Sequence, residues 1–346
     1  MTSNTDERVA LTYSMLASFR NCRRACKLHY IDLLRVADRP EAQVTGSLIH
    51  ECLECWYLTA DFSQVEKHIA QMCSAAGDHV DDASKNRHFH TVAMMEGYVA
   101  AYPRESFEIL ALELPFAGEI INPATGAKSR TYTMAGRVDA VVRDDSGIWL
   151  NEYKTASRID AGYIEKLWSD MQIRLYSVYL EQVFGWHITG VNYIMLTKVR
   201  AAQEMGETDA EWAERLAAAK APGRCKRKMP ETDAEYLERL REKYAPASMY
   251  PREQIYFTPR DLEELQFEVW ELTQQLLACK RDPQGRAWYK NTSQCYVYNH
   301  ACDYCRLCQA TANEDAVRSA FYTVADDMHG EVNAQSAFAN AESDMF

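Results

Sequence analysis

The stretch AGRVDAVVRDDSGIWLNEYKTAS, residues 135–157, concentrates side chains suited to chemistry. Residues 144–147, DDSG, read as the turn of a hairpin between two apolar-rich strands. If Arg143 pairs with Ile148, then Val141 faces Leu150 and Asp139 faces Glu152. Directly opposed residues of an antiparallel pair share a face, with Cβ atoms about 5 Å apart. Lys154 joins them because strand side chains alternate. Two such carboxylates repel, and their burial is costly unless they are neutralised. A hard cation such as Mg2+ or Mn2+ resolves this by taking oxygen ligands while keeping waters. It can then lower the pKa of a bound water and stabilise charge on a scissile phosphate, with Lys154 as a compact cation beside it. The competing reading is a surface salt-bridge set, and a one-residue register slip would send Asp139 to the other face.

The opposite faces of the two strands carry Val138, Ala140, Val142, Trp149 and Tyr153. A sheet apolar on both sides is covered on both sides, which predicts an α/β fold with helices flanking a central mixed sheet. Residues 12–35, 46–58 and 87–102 read as helices, the first with a basic cluster at Arg20, Arg23, Arg24 and Lys27. From residue 107 the period changes to that of strands. A long helix is expected over 162–184, followed by a strand at 188–198. Thr258 and Pro259 open a further helix as N-cap and first helical residue. The expected organisation is an N-terminal helical region (1–106), a core (107–200), a charged helical insertion (201–250), a C-terminal helix with a cysteine cluster (251–310) and a peripheral polar tail (311–346).

Within the insertion, ETDAEWAERL recurs as ETDAEYLERL at an offset of 24, each copy opening with a Thr-x-x-Glu capping box. The linker APGRCKRKMP joins them. It is either part of a solvated excursion or a DNA-contacting arm using Arg224, Lys226, Arg227 and Lys228.

GRVDAVV followed by LNEYKTA resembles the D-x(n)-E-x-K core of PD-(D/E)XK nucleases, in particular their RecB-like exonuclease branch. GSLIHECLE resembles the branch's first motif, in which a helical histidine, here His50, contributes to the metal site. DMQIRLYSVYL resembles its Gln-x3-Tyr helix and places Gln172 and Tyr176 on one face. SMLASFRNCRRACKLHY resembles its entry segment, with Cys22 at the cysteine position. The resemblance spans 12–198 and 253–308. It implies a restriction-endonuclease-like core that hydrolyses DNA, with Asp139, Glu152, His50 and the Tyr153 carbonyl as metal ligands. Lys154 would be the catalytic lysine, and Gln172 and Tyr176 would position it or the substrate. Glu51 and Glu54 read as packing or supporting residues. A helicase or recombination protein is an implied partner. The rival readings are a CRISPR-adaptation-type enzyme trimming DNA ends inside a larger complex and a non-catalytic iron–sulfur scaffold that binds DNA or a partner.

CYVYNHACDYCRLC supplies Cys295, Cys302, Cys305 and Cys308. Thiolates at such spacing suit a soft metal, and four of them can hold zinc. The resemblance implies instead a 4Fe–4S cluster on Cys22, Cys295, Cys302 and Cys308, joining the helical N- and C-terminal regions. The family's C-x2-C-x5-C ending is altered here. Asn299 stands three before Cys302, so Cys295 is the replacement and Cys305 the alternative ligand. Cys52 and Cys55 suit helix packing, and Cys26, Cys73, Cys225 and Cys279 carry no metal pattern.

The 346 residues are long enough to bury a substantial core. Eleven cysteines, unevenly placed, fit a reducing compartment better than a disulfide framework. The first residues, MTSNTDERVA, hold no apolar signal core, and no run reaches the roughly 20 apolar residues of a membrane helix. A cytoplasmic protein without membrane attachment is expected. A net charge of −12 argues against coating nucleic acid through bulk electrostatics, although it permits a local basic channel.

Overall fold

A six-stranded mixed sheet lies at the centre of the computed structural model, which describes residues 8–36, 41–74, 82–219, 225–297, 300–310 and 312–329. The strands are β1 (Val9–Leu11), β3 (Glu108–Ile121), β4 (Lys128–Asp144), β5 (Gly147–Ala156), β6 (Ile188–Thr197) and β7 (Arg252–Tyr256). A short β2 (Leu34–Val36) lies outside this sheet. The order is β1-β4-β5-β6-β7, with β3 on the other edge of β4. β5 and β6 run parallel through α6 (Ala161–Leu167) and α7 (Met171–Phe184), and the remaining long pairings are antiparallel.

Alternation along β6 shows why both faces need cover. Val191, Tyr193 and Met195 enter one core, whereas Ile194 and Leu196 enter the other. The first core is closed by α1 (Tyr13–Asn21), α7 and the long α10 (Pro259–Arg281). The second is closed by α3 (Glu41–Thr59), α4 (Phe62–Ser74), α5 (Asp82–Ala101) and α9 (Asp233–Tyr244). Thr258 caps α10 and Pro259 begins it, as expected.

Several boundaries differ from the sequence reading. The expected helix over 12–35 is broken: α1, the short α2 (Arg23–Cys26) and a π-helical turn at Lys27–Ile31 are followed by β2. Cys22 causes the first break by adopting extended backbone, φ −157° and ψ 109°. The expected helix over 162–184 is two, because Asp170 leaves helical geometry and caps the Gln172 N–H. The polar tail is not merely peripheral. It forms α12 (Glu314–Phe321) and β10 (Tyr322–Val324), and β10 pairs antiparallel with β2. The small cluster of Leu28, Leu34, Tyr304, Leu307 and Tyr322 buries this junction. The remaining short elements are α8 (Asp209–Ala218), the hairpin β8 (Tyr296–Val297) and β9 (His300–Ala301), and α11 (Cys305–Gln309). No described helix is long and apolar enough to cross a membrane.

Candidate active site

The hairpin register is the expected one where it is formed: Arg143 faces Ile148 and Val141 faces Leu150. Pairing stops at Ala140–Asn151, one pair short of Asp139–Glu152. β1 takes over the same edge of β4 at Tyr132–Met134. Residues 135–139 therefore line a gap between two ladders, and Asp139 stands at its mouth. Its Oδ2 accepts the Tyr153 N–H at 2.8 Å, so the carboxylate does the work of the missing ladder bond.

Face alternation also breaks here. Val138 packs in the main core with Val141 and Leu150, not with Ala140, Val142 and Trp149 as the alternation predicted. On β3, Leu112 and Leu114 divide between the same two clusters. Glu113, between them, has φ +44°, a left-handed conformation that costs a non-glycine residue about 1–2 kcal/mol. The kink aims Glu113 at Asp139. Donor atoms of His50, Glu113 and Asp139 all lie within 4.8 Å of one another. His50 comes from α3, with Nδ1 3.3 Å from Asp139 Oδ1. Its ring meets that of Tyr153 edge-on, and Tyr153 in turn stacks on Tyr57. Sequence reasoning missed Glu113, which reads as one polar residue in the apolar run LALELPF.

Glu152 and Lys154 extend the site toward α7. Lys154 Nζ donates to Glu152 Oε1 at 2.5 Å and approaches Gln172 Oε1 at 3.4 Å, while Gln172 Nε2 donates to the Tyr176 hydroxyl at 3.1 Å. The predicted Gln172–Tyr176 pair thus meets the predicted lysine. Gly136 makes room for it, since a Cβ there would sit 2.5 Å from the Phe116 ring and 3.0 Å from that of Tyr176.

The charges report crowding. Burial and then the Asp139 charge push Glu152 up to about 7, against the pull of Lys154. Burial and Asp139 likewise raise Glu113 to about 7, although Arg137 sits 2.9 Å away. Burial would depress His50, but Asp139 outweighs it and lifts the imidazole to about 9. Burial also opposes ionisation of Asp139, and His50 overcomes it to hold this carboxylate below its usual range. Four clustered groups that disturb one another in this way make this a candidate functional centre. The donor set of one imidazole and several carboxylates fits a hard divalent cation.

Cysteines from the N- and C-terminal segments approach one another, though His50, Glu113 and Asp139 are the only group among the described residues whose donor atoms all lie within 4.8 Å of one another. Cys22 Sγ accepts the Asn291 N–H at 3.3 Å, and the Cys302 N–H donates to the Cys295 carbonyl at 2.8 Å. Burial raises the Cys308 thiol, with the Cys22 and Cys295 sulfurs adding to it against Arg24. Burial raises Cys302 too, with Cys22 and Cys308 among its neighbours. Cys305 is buried and meets Tyr296 instead. Cys52, Cys55 and Cys73 lie in the second core, as packing residues should. Asn299 and Arg224 lie outside the described residues.

The family model for the PD-(D/E)XK nuclease superfamily matches residues 10–309. The chain belongs to that superfamily. Membership fits the mixed sheet, the gapped hairpin and the Asp139–Glu152–Lys154 set, and makes this nuclease-family protein a hydrolase by descent. No curated protein matches it in sequence. Among solved structures it is similar to one titled "Crystal structure of SSO0001", 18% identical over 67% of this chain and 83% of that one, with a TM-score of 0.19. That likeness is too loose to carry structural detail.

Proposed function

We propose that this nuclease is a metal-dependent deoxyribonuclease of the RecB-like branch that degrades DNA from its ends. The carrying observation is the meeting of the His50–Glu113–Asp139 donor group with the Glu152–Lys154–Gln172–Tyr176 chain across one strand gap. His50, Glu113, Asp139 and Glu152 would hold Mg2+ or Mn2+, with the Tyr153 carbonyl as a further ligand. Bound there, the cation supplies an activated water and positive charge beside the scissile phosphate. Lys154, kept protonated by Glu152 although burial opposes it, offsets negative charge building on that phosphate. Gln172 limits the travel of Lys154, and Tyr176 fixes Gln172. Hydrolysis adds water across one P–O bond, leaving a phosphate on one product and a hydroxyl on the other.

Cys22, Cys295, Cys302 and Cys308 would hold a 4Fe–4S cluster, supported by their convergence from both ends of the chain. The enzyme would work in the cytoplasm on DNA, alongside a helicase or recombination protein. The deciding experiment incubates the protein with 5′- and 3′-labelled single and double strands in Mg2+ or Mn2+. End-dependent loss of label abolished by a chelator is expected. Absence of cleavage in both metals would refute an active nuclease, and cleavage of closed circular DNA would refute the dependence on ends.

A further inference from the structure

α3 presents one stripe of residues to β5. Gly46, His50 and Tyr57 are spaced by four and then seven residues, so they share a helix face. A Cβ on Gly46 would lie 3.8 Å from Thr155 Oγ1. The His50 ring meets Tyr153 edge-on at 5.9 Å, and the Tyr57 ring stacks on Tyr153 at 6.1 Å. Tyr153 is itself tied to the site, because its N–H donates to Asp139. One buried ring thus touches both the imidazole of the site and Tyr57.

The Tyr57 hydroxyl belongs to a closed circuit of hydrogen bonds. It donates to Glu105 Oε1 at 2.8 Å and lies 2.6 Å from the Tyr98 hydroxyl. Arg252 on β7 donates to both Glu105 oxygens, at 2.8 and 2.7 Å, and to the Tyr98 oxygen at 3.0 Å. A carboxylate only accepts and a guanidinium only donates, so every proton in the circuit has one direction. Tyr57 gives its proton to Glu105, which leaves Tyr98 to donate to Tyr57. The guanidinium also lies over the Tyr102 ring, 3.5 Å from its centroid. The Glu105 and Arg252 side chains are only 15% and 25% exposed. An ion pair so covered recovers little beyond the cost of its own desolvation, and apolar residues of similar volume would hold the core as well. Its contribution is then one of direction, fixing a hydroxyl and the ring that carries it.

We propose that Tyr57 is a positioning residue for the metal site: anchored by Glu105 and Arg252, it sets the rotation of α3 against β5 and so aims His50 at Asp139. This rests on the reading of His50 as a metal ligand and adds to it the device that aims the ring. His50 Nδ1 stands 3.3 Å from Asp139 Oδ1, so a small turn of the helix separates the two. Without its hydroxyl, the ring at 57 keeps its volume but loses its tether. Tyr153 then loses a fixed backing, and the imidazole turns away from the carboxylate. Tyr236 supplies the contrast. It lies in the same core with its hydroxyl bonded to Asn86 and to the Ala201 carbonyl, yet it belongs to α9 and packs on α5.

The test compares full-length Tyr57→Phe with wild type and with Tyr236→Phe, first without metal and then with Mn2+. In metal-free protein labelled with 15N-histidine, the His50 Nδ1–H resonance is assigned by its loss in His50→Gln. It is expected far downfield in wild type and in Tyr236→Phe, where Asp139 accepts the proton, and shifted upfield or lost in Tyr57→Phe. Mn2+ affinity by calorimetry should fall at least about tenfold in Tyr57→Phe and stay within about twofold in Tyr236→Phe. Glu105→Ala should weaken Mn2+ binding to the same extent, and its loss should not add to that of Tyr57→Phe in the double variant, because one circuit carries both. A Tyr57→Phe protein that melts lower but keeps the wild-type resonance and Mn2+ affinity would overturn the positioning role, as would additive losses. Wild-type protein that shows the resonance but binds no Mn2+ would refute the metal reading alone. The resonance in Tyr57→Phe then still decides the positioning: unchanged, it overturns the role, and displaced, it supports it.

Discussion

Glu113 shows what a single residue contributes when the backbone is bent to deliver it. Glu113→Gln keeps shape but removes a charge, so Mn2+ affinity measured by calorimetry should fall at least about tenfold, in the range seen on loss of supporting groups at metal sites. Glu51→Gln, an acid on the same helix as His50 but paired with His68 at 2.8 Å, should leave that affinity unchanged. Asp139→Asn and Glu152→Gln should weaken metal binding and abolish cleavage. Lys154→Ala should spare metal binding, because no ligand is lost, and lower kcat by about 10²–10³-fold, as for loss of one donor to a developing oxyanion. Robust cleavage by well-folded Lys154→Ala would overturn its assigned role. Asp139, Glu152 and Lys154 were legible because a hairpin with a clear turn fixes their spacing. Glu113 was not, since its position follows from a left-handed φ that no local pattern announces.

Elements decide how far those side chains can wander. The break between α6 and α7 gives Gln172 a place in the first turn of a freshly capped helix, where Asp170 also accepts the Tyr193 hydroxyl at 3.2 Å. Asp170→Ala removes the cap, so it should cost about 1–2 kcal/mol in urea unfolding and lower kcat through Gln172 while sparing metal affinity. Gly136→Ala presses a methyl group into two rings of the same assembly. It should destabilise by about 1–3 kcal/mol, the range for overpacking, and also lower kcat. The helical period ran unbroken through Trp168 and Ser169 in the sequence, which is why one helix was expected where two exist. Likewise, β10 was hidden because its pairing partner, β2, lies almost 300 residues away, and a strand so short has no signal of its own.

At the scale of the whole molecule, the question is what the four converging cysteines add to ends that already adhere. β2 and β10 pair, Tyr304 stacks on Tyr322, and Arg23 lies over the rings of Phe19 and Tyr289. The two large cores, by contrast, contain none of Cys22, Cys295, Cys302 or Cys308. Loss of a cluster should therefore loosen the junction without dissolving the sheet. Purified without oxygen, the protein should be brown and carry about four irons. Cys22→Ala, Cys295→Ala, Cys302→Ala and Cys308→Ala should each lose iron, whereas Cys305→Ala, whose thiol turns to Tyr296, should keep it. Limited proteolysis of the iron-free variants should cut first between α10 and α11, leaving the sheet and its covering helices protected. Iron loss in Cys305→Ala with retention in Cys295→Ala would exchange the two ligands, and zinc without iron in anaerobic protein would overturn the cluster. Collapse of the entire fold in the single variants would show instead that the junction, and not the paired cores, carries the stability of the nuclease.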